Sequence, residues 1–272
     1  MSNLQLRILS ALVLAAVVLA LAFVGGWPFR LLSALISAAI FFEWTRMTRP
    51  HAGFGAFDLL TDLSMAIFVI ALAAGLSARI LLILLAVLVA LCAVAAITRG
   101  AGRWAASGIA YAGLSGFSLA FLRDGDRSGL LAILFLFAVV WATDILAYFV
   151  GRAVGGPRLA PSISPGKTRS GALGGAVGGL LAGLAVVVAT GAGDVVLLGF
   201  VALLLSVVAQ AGDLFESWVK RRHGCKDSSA LIPGHGGVMD RVDGLVAAAL
   251  ALYVIGSITA SVETPAQGLF PG

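Results

Sequence analysis

Residues 130–150 read LLAILFLFAVVWATDILAYFV, an apolar run in which only Thr143 and Asp144 are polar. About 20 apolar residues suffice to cross the hydrocarbon core of a bilayer. In lipid the backbone must satisfy its own hydrogen bonds, so such a run reads as a transmembrane helix. Working outward, comparable runs lie at Leu6–Gly25, Trp27–Trp44, Leu59–Leu76, Ile80–Ile97, Ala105–Leu122, Gly171–Thr190, Val195–Ala211 and Leu245–Ala260. The sequence therefore predicts an all-α, polytopic integral membrane protein with about nine spans, in a range of eight to ten. The first run follows Arg7, but it is long and has no clear small-x-small cleavage site before Gly25–Gly26. It is expected to be a retained span and not a signal peptide.

Composition agrees. Of 272 residues, 60% are hydrophobic and 11% charged, against about 25% charged in soluble domains. That excludes a disordered chain and makes a soluble globular class untenable. Two cysteines, Cys92 in an apolar run and Cys225 in a polar stretch, make no disulfide framework. The net charge of +5 comes from groups between the apolar runs, where topology and lipid headgroups explain it. Basic patches with interleaved aromatics are absent, so no nucleic-acid partner is expected.

Orientation follows from the basic residues. With nine spans and an inside N-terminus, Arg30, Arg79, Arg123 and Arg127 fall outside and the other fourteen of the 18 lysines and arginines fall inside. The polar loops 151–170 and 217–243 are thus expected on the cytoplasmic side. Short loops and only three lysines (Lys167, Lys220 and Lys226) suit a bacterial inner membrane. Residues 1–127 carry few polar groups within spans and read as a helical scaffold. Residues 128–272 carry the chemistry, and the two parts are expected to form one membrane domain. Glu43, Asp58 and Asp62 lie near span ends and are expected to be solvated, in structural roles.

Gly171, Gly175, Gly179 and Gly183 recur every four residues, with Gly174 and Gly178 beside them. This spacing puts small residues along one helix face, where a second backbone can approach closely. Tight helix packing is the expectation, and the face could also shape a groove open to lipid.

A carboxylate inside a membrane helix is costly and marks function by default. Asp144 is such a group, although a helix-end charge paired with Arg152 would also account for it. The Ser164-Pro165-Gly166-Lys167-Thr168 loop ends like a P-loop, but Pro161 stands where that motif needs glycine, and the neighbours are membrane helices. A nucleotide-hydrolase reading fails. What survives is a turn with exposed backbone donors, and Lys167 as a point charge for phosphate.

The segment from Gly212 to Gly244 is the richest. Asp213, Glu216, Ser217 and Lys220 share one helix face, and Asp240 and Asp243 share another. Two carboxylate faces at the ends of two helices can share a hard cation. Oxygen donors without a His/Cys set favour Mg²⁺. The surrounding Lys220, Arg221, Lys226 and Arg241 suit a polyphosphate, as in phosphoryl transfer. Gly236-Gly237, after His235, permits positive φ and close approach of backbone to a ligand, ahead of a helix N-terminus that favours anions.

The pattern Ser217-x2-Lys220-Arg221-x4-Lys226-Asp227-x-Ser229-x2-Ile232-Pro233-x-His235-Gly236-Gly237-x2-Asp240-Arg241-x-Asp243 resembles the signature of the phosphatidate cytidylyltransferase (CDP-diacylglycerol synthase) family. Thr143-Asp144, Tyr148-Phe149-x-Gly151-Arg152 and Ser164-Pro165-x-Lys167-Thr168 resemble it too. The family often has glutamate before the glycine that follows Lys-Thr; here Ser170 precedes Gly171. The resemblance implies that CTP and phosphatidate give CDP-diacylglycerol and pyrophosphate, by in-line attack of the lipid phosphate at the membrane interface. It implies Mg²⁺, with room for a second cation, held by Asp213 and Asp240, with Asp243 and Asp144 as further ligands or acceptors. Lys220, Arg221, Lys226 and Arg241 would hold triphosphate or lipid phosphate, with Lys167, Ser164, Thr168 and Ser217 contributing. His235, Gly236 and Gly237 would contact phosphate or ribose, and Glu216 and Asp227 are further candidates. A homodimer is compatible with the family and with the glycine faces.

Three rival functions share parts of this pattern. A CTP-dependent lipid kinase of the polyprenol or dolichol type shares the polyphosphate and the lipid acceptor. A CDP-alcohol phosphotransferase would carry Asp-Gly-x2-Ala-Arg, which is not found here. A secondary transporter would place charges at the midplane of two repeats, whereas here they gather at one membrane face in one half of the chain.

Overall fold

A computed structural model describes residues 3–49, 54–100, 102–125, 127–232 and 236–271, with side chains from residue 10 onward. Among the described residues nine α-helices follow one another: α1 (Asn3–Val24), α2 (Gly26–Thr48), α3 (Ala56–Ala73), α4 (Ala78–Thr98), α5 (Trp104–Arg123), α6 (Arg127–Val154), α7 (Arg169–Thr190), α8 (Val195–Arg222) and α9 (Met239–Thr259). Eight of them, α2 to α9, are long and apolar enough to cross a membrane. The all-α polytopic expectation is met.

Two features depart from the sequence reading. The 151–170 loop is a hairpin, with β1 (Arg158–Ala160) antiparallel to β2 (Ser164–Thr168). Strands this short, with a register irregularity between Arg158 and Ala160, leave no alternating pattern to read. The second departure concerns helix length. α8 runs 28 residues to Arg222, about 42 Å at 1.5 Å per residue, beyond the roughly 30 Å of a hydrocarbon core. The apolar run stops at Ala211, but the helix does not. α9 likewise begins at Met239, six residues before the predicted start. Asp213, Glu216, Ser217, Lys220, Asp240 and Asp243 are therefore all helical.

The chain divides into two compact units. One comprises Met1–Ala120 with Asp227–Arg241, and the other Phe121–Lys226 with Val242–Gly272. In the first, α5 packs on α2 through small residues. A Cβ on Gly116 would lie 2.5 Å from the Ser33 carbonyl oxygen, and Ser37 Oγ donates to the Ala112 carbonyl at 2.6 Å. Trp44 Nε1 donates to the Trp104 carbonyl at 2.8 Å. Asp58 and Asp62 are not simply solvated, because Arg49 pairs with both, at 3.1 Å for Asp58.

In the second unit the glycine stripe does what its spacing predicts. A Cβ on Gly171 would meet the Ala147 carbonyl oxygen of α6 at 2.7 Å, and one on Gly175 the Thr143 carbonyl oxygen at 2.8 Å. At Gly183 a Cβ would approach Ala202 of α8 to 2.6 Å. α7 thus lies backbone-to-backbone against α6 and close to α8. Thr143 Oγ1 and Ser206 Oγ join α6 to α8 at 2.7 Å, and Gln210 Nε2 donates to the Ala172 carbonyl at 3.2 Å.

Candidate functional site

In the second unit, α8 and α9 touch through glycine. A Cβ on Gly212 would sit 3.0 Å from the Asp243 carbonyl oxygen and 3.5 Å from Gly244 Cα, and one on Gly244 would sit 2.9 Å from the Ala209 carbonyl oxygen. Each contact glycine is next in sequence to an aspartate. Close backbones at Gly212 and Gly244 hold Asp213 and Asp243 in mutual electrostatic range, and Asp144 of α6 is within range of both. Three carboxylates from three helices, far apart in sequence, therefore lie within electrostatic range of one another.

The hairpin supplies the counter-charge. Lys167 of β2 forms an ion pair with Asp213 Oδ2, and its charge also reaches Asp144 and Asp243. Thr168 is the N-cap of α7: its Oγ1 accepts from Gly171 N at 3.1 Å. The hairpin is thereby anchored at the start of the glycine stripe. Ser217 Oγ donates to Asp213 Oδ1 at 3.4 Å.

These groups line a cavity of about 740 Å³ between α6, the hairpin, α7 and α8. Asp144, Asp213, Lys167, Arg152, Arg158 and Gln210 face it, together with Ser164 and Thr168. The cavity thus combines two carboxylates with three cationic groups, a lining suited to phosphate with a cation between. Arg152 does not pair with Asp144 as the alternative reading had it. It donates to the Tyr148 hydroxyl at 2.9 Å. Arg158 and Gln210 were missed in sequence. Arg158 served only as a topological charge, and Gln210 sits uncharged in an apolar run.

Other candidates on α8 and just after it are placed differently. Lys220 Nζ donates to Glu216 Oε1 at 2.9 Å, one turn away, and Glu216 is buried. Arg221 is exposed and donates to the carbonyls of Ile163 in the hairpin, at 3.4 Å, and Cys225, at 3.3 Å. Lys226 and Asp227 are exposed.

The first unit holds a second carboxylate cluster. Asp240 Oδ2 accepts from Ser228 N at 2.9 Å, Ser228 Oγ at 2.9 Å and Gly237 N at 2.8 Å. Gly236 has φ +84°, the left-handed conformation its sequence context predicted. Gly237 is also needed as glycine, but for a reason the sequence did not reveal. A Cβ there would sit 2.5 Å from Glu43 Oε1, so the backbone closes on a protein carboxylate. Arg241 is exposed, and His235 lies outside the described residues.

Glu43 is the residue that sequence reasoning misplaced. Expected to be solvated, it is fully buried. Its carboxylate accepts from Ser228 Oγ (3.0 Å), Ser229 Oγ (2.6 Å), Val238 N (2.8 Å) and Met239 N (2.7 Å). Its position inside the long helix α2 was the available signal, since a buried charge in such a helix needs partners.

A model of the cytidylyltransferase family matches residues 5–259. A phosphatidate cytidylyltransferase of Brucella suis biovar 1 (strain 1330) is 49% identical over 277 residues, 99% of each chain. One of Brucella abortus biovar 1 (strain 9-941) is 50% identical over 267 residues, 96% of each. One of Haemophilus influenzae is 37% identical over 282 residues, covering 90% of this chain and 96% of that protein.

Proposed function

The chain belongs to the cytidylyltransferase family, and from that membership we propose that it transfers the cytidylyl group of CTP to phosphatidate, releasing pyrophosphate and leaving CDP-diacylglycerol in the membrane. The observation that carries this reading is the cavity in which Lys167, Arg152 and Arg158 surround Asp213 and Asp144. A nucleotide triphosphate needs cations on its outer oxygens, and a lipid phosphate needs a polar recess beside apolar helices. Both requirements are met within one recess of about 740 Å³. The basic-residue bias supports a cytoplasmic, inner-membrane placement, where CTP is available.

Attack runs from a phosphate oxygen of phosphatidate to the α-phosphorus of CTP, and the bond to pyrophosphate breaks. The lipid phosphate already carries a nucleophilic oxygen near neutral pH, so no protein nucleophile and no covalent enzyme intermediate is required. The protein's part is to hold two anions together in line and to offset their charge. Lys167, on a hairpin anchored at Thr168, is placed to move from Asp213 onto incoming phosphate. Arg152 and Arg158 line the same cavity and would offset the charge of the lipid phosphate or of the β- and γ-phosphates.

Mg²⁺ fits these residues. Among the described residues no three His, Cys, Asp or Glu side chains gather as a ready-made metal cage. Mg²⁺ does not ask for one, because it is commonly held by one or two carboxylates, waters and substrate phosphates. Asp213 and Asp243 would hold it, and the Lys167 ammonium on Asp213 marks that oxygen as a seat for positive charge. When bound, the ion would neutralise charge on the triphosphate and favour departure of pyrophosphate.

The test is an assay of purified protein in detergent with phosphatidate, Mg²⁺ and CTP labelled either in the base or in the γ-phosphate. Base label in the lipid phase, with pyrophosphate released, is the expected result. Label in lipid from the γ-phosphate alone would identify a lipid kinase instead. Label from neither position would overturn the proposal.

A further inference from the structure

We infer that Glu43 of α2 is a positioning residue for the signature segment, holding the start of α9 and the Ser228–Ser229 stretch in the geometry the reaction needs; this rests on the cytidylyltransferase reading above. Glu43 is fully buried. Each of its oxygens takes one backbone N–H and one hydroxyl. Oε1 accepts from Val238 N and Ser229 Oγ, and Oε2 from Met239 N and Ser228 Oγ. The two amides are among those a helix N-terminus leaves without an intrahelical partner, and a carboxylate there also meets the positive end of the helix dipole.

The arrangement admits only a group that accepts at both ends. A glutamine at position 43 would turn its NH₂ onto either Val238 N–H or Met239 N–H, donor against donor, whichever way the amide is rotated. Asp240 differs: three donors among the described residues converge on Oδ2. Ser228 links the two carboxylates, since its Oγ lies within hydrogen-bond distance of both Glu43 Oε2 and Asp240 Oδ2. Ser228–Ser229 and Val238–Met239 of the signature segment are therefore held by a residue more than 180 positions upstream, on a helix that contributes none of the signature.

Glu43→Gln, purified in detergent, should turn over at least tenfold more slowly. Amide hydrogen exchange at Val238 and Met239 should accelerate at least tenfold, while exchange in the middle of α3 and α4 stays unchanged. Glu43→Asp keeps two acceptor oxygens on a shorter stem and should recover part of both losses, which a merely space-filling role would not produce. If Glu43→Gln does not fold, Ser228→Ala/Ser229→Ala removes the two hydroxyl donors with Glu43 in place and should move both readouts in the same direction. Wild-type exchange at Val238 and Met239 in a folded variant would overturn the inference. Accelerated exchange with full turnover would overturn it equally. A wild-type protein without cytidylyl transfer would instead defeat the proposed function, and the exchange arm would still report on the latch.

Discussion

The two carboxylate clusters are built from similar side chains and do opposite things. Around Glu43 and Asp240 six donors are arrayed, two serine hydroxyls and four backbone amides, with the Ser228 hydroxyl within reach of both carboxylates. Asp213, Asp243 and Asp144 instead lie within electrostatic range of one another. There the described bonds to Asp213 and Asp243 come from one ammonium, a hydroxyl at 3.4 Å and the Gly244 amide at 2.7 Å. A carboxylate surrounded by fixed donors is a structural part, since its charge is already spread over its neighbours. Carboxylates within electrostatic range of one another, with Lys167 ion-paired to one of them, hold a charge imbalance that a cation and a nucleotide can resolve. The distinction lies in donors per oxygen and not in burial or residue type. It separates the group that shapes the loop from the groups positioned for chemistry.

The sharpest way to break this comparison is to neutralise one acid in each cluster without changing its shape. Asp213→Asn should lower turnover at least ~10²-fold, roughly 2.7 kcal/mol of barrier, and leave the melting temperature close to wild type. Asp240→Asn can present its single oxygen to all three donors that now meet Oδ2, so its fold should also persist. A similar loss of turnover would then report a need for the charge of Asp240 beyond the loop. Near-normal turnover in purified Asp213→Asn would reject its assignment to the metal. A melting temperature that falls in Asp213→Asn would erase the contrast between the clusters.

The crowded cluster exists because glycine lets helices approach, and that seam can be tested separately. Gly175→Ala puts a methyl 2.8 Å from the Thr143 carbonyl oxygen and 3.0 Å from Ala147 Cβ. Overpacking of this kind costs about 1–3 kcal/mol. Gly166→Ala in the hairpin meets nothing within 4 Å, so its melting temperature should not move. Equal melting of the two variants, followed by tryptophan fluorescence, would show that the α6–α7 seam is looser than its backbone spacing implies.

How much of this was visible in the sequence follows from range. The spans were legible because lipid imposes a length and a polarity on each segment by itself. The glycine stripe was legible because its four-residue period is local. Asp144 was legible as a costly charge in an apolar run, Lys167 as a point charge in a turn suited to phosphate, and Asp213 and Asp243 as carboxylates on helix faces. Glu43 was not, because what distinguishes a latch from a solvated helix-end charge is four donors lying 185 to 196 residues away. The apolar run alone understated the length of α8, although the face shared by Asp213, Glu216, Ser217 and Lys220 carried the helix to position 220. Hydropathy reports where lipid ends, whereas the helix continues while its backbone bonds and the Glu216–Lys220 pair sustain it.

Lys167 tests whether the imbalance is resolved as proposed. Lys167→Ala leaves Asp213 beside Asp144 and Asp243 with less positive charge, and it removes a cation from the nucleotide's path. The CTP concentration needed for half-saturation should rise about tenfold, a loss of about 1.4 kcal/mol. The phosphatidate dependence should change less. Unchanged CTP saturation would mean that the hairpin lysine serves Asp213 alone.

The smallest expected effect comes from the well-satisfied cluster. Ser229→Ala removes the 2.6 Å donor to Glu43 Oε1 and the acceptor of Leu231 N at 3.1 Å. Leu231 is exposed and Ser229 half-buried, so water can replace part of both interactions. Val238 N still satisfies Oε1. The loss should be about 1 kcal/mol of stability and less than threefold in turnover. A carboxylate with four donors tolerates the loss of one, because the remaining three still fix its position and hence the start of α9. If Ser229→Ala instead matched Asp213→Asn in lost turnover with an unchanged melting temperature, the hydroxyl itself would be contacting substrate. Donor-rich surroundings would then no longer distinguish a structural carboxylate cluster from a chemical one.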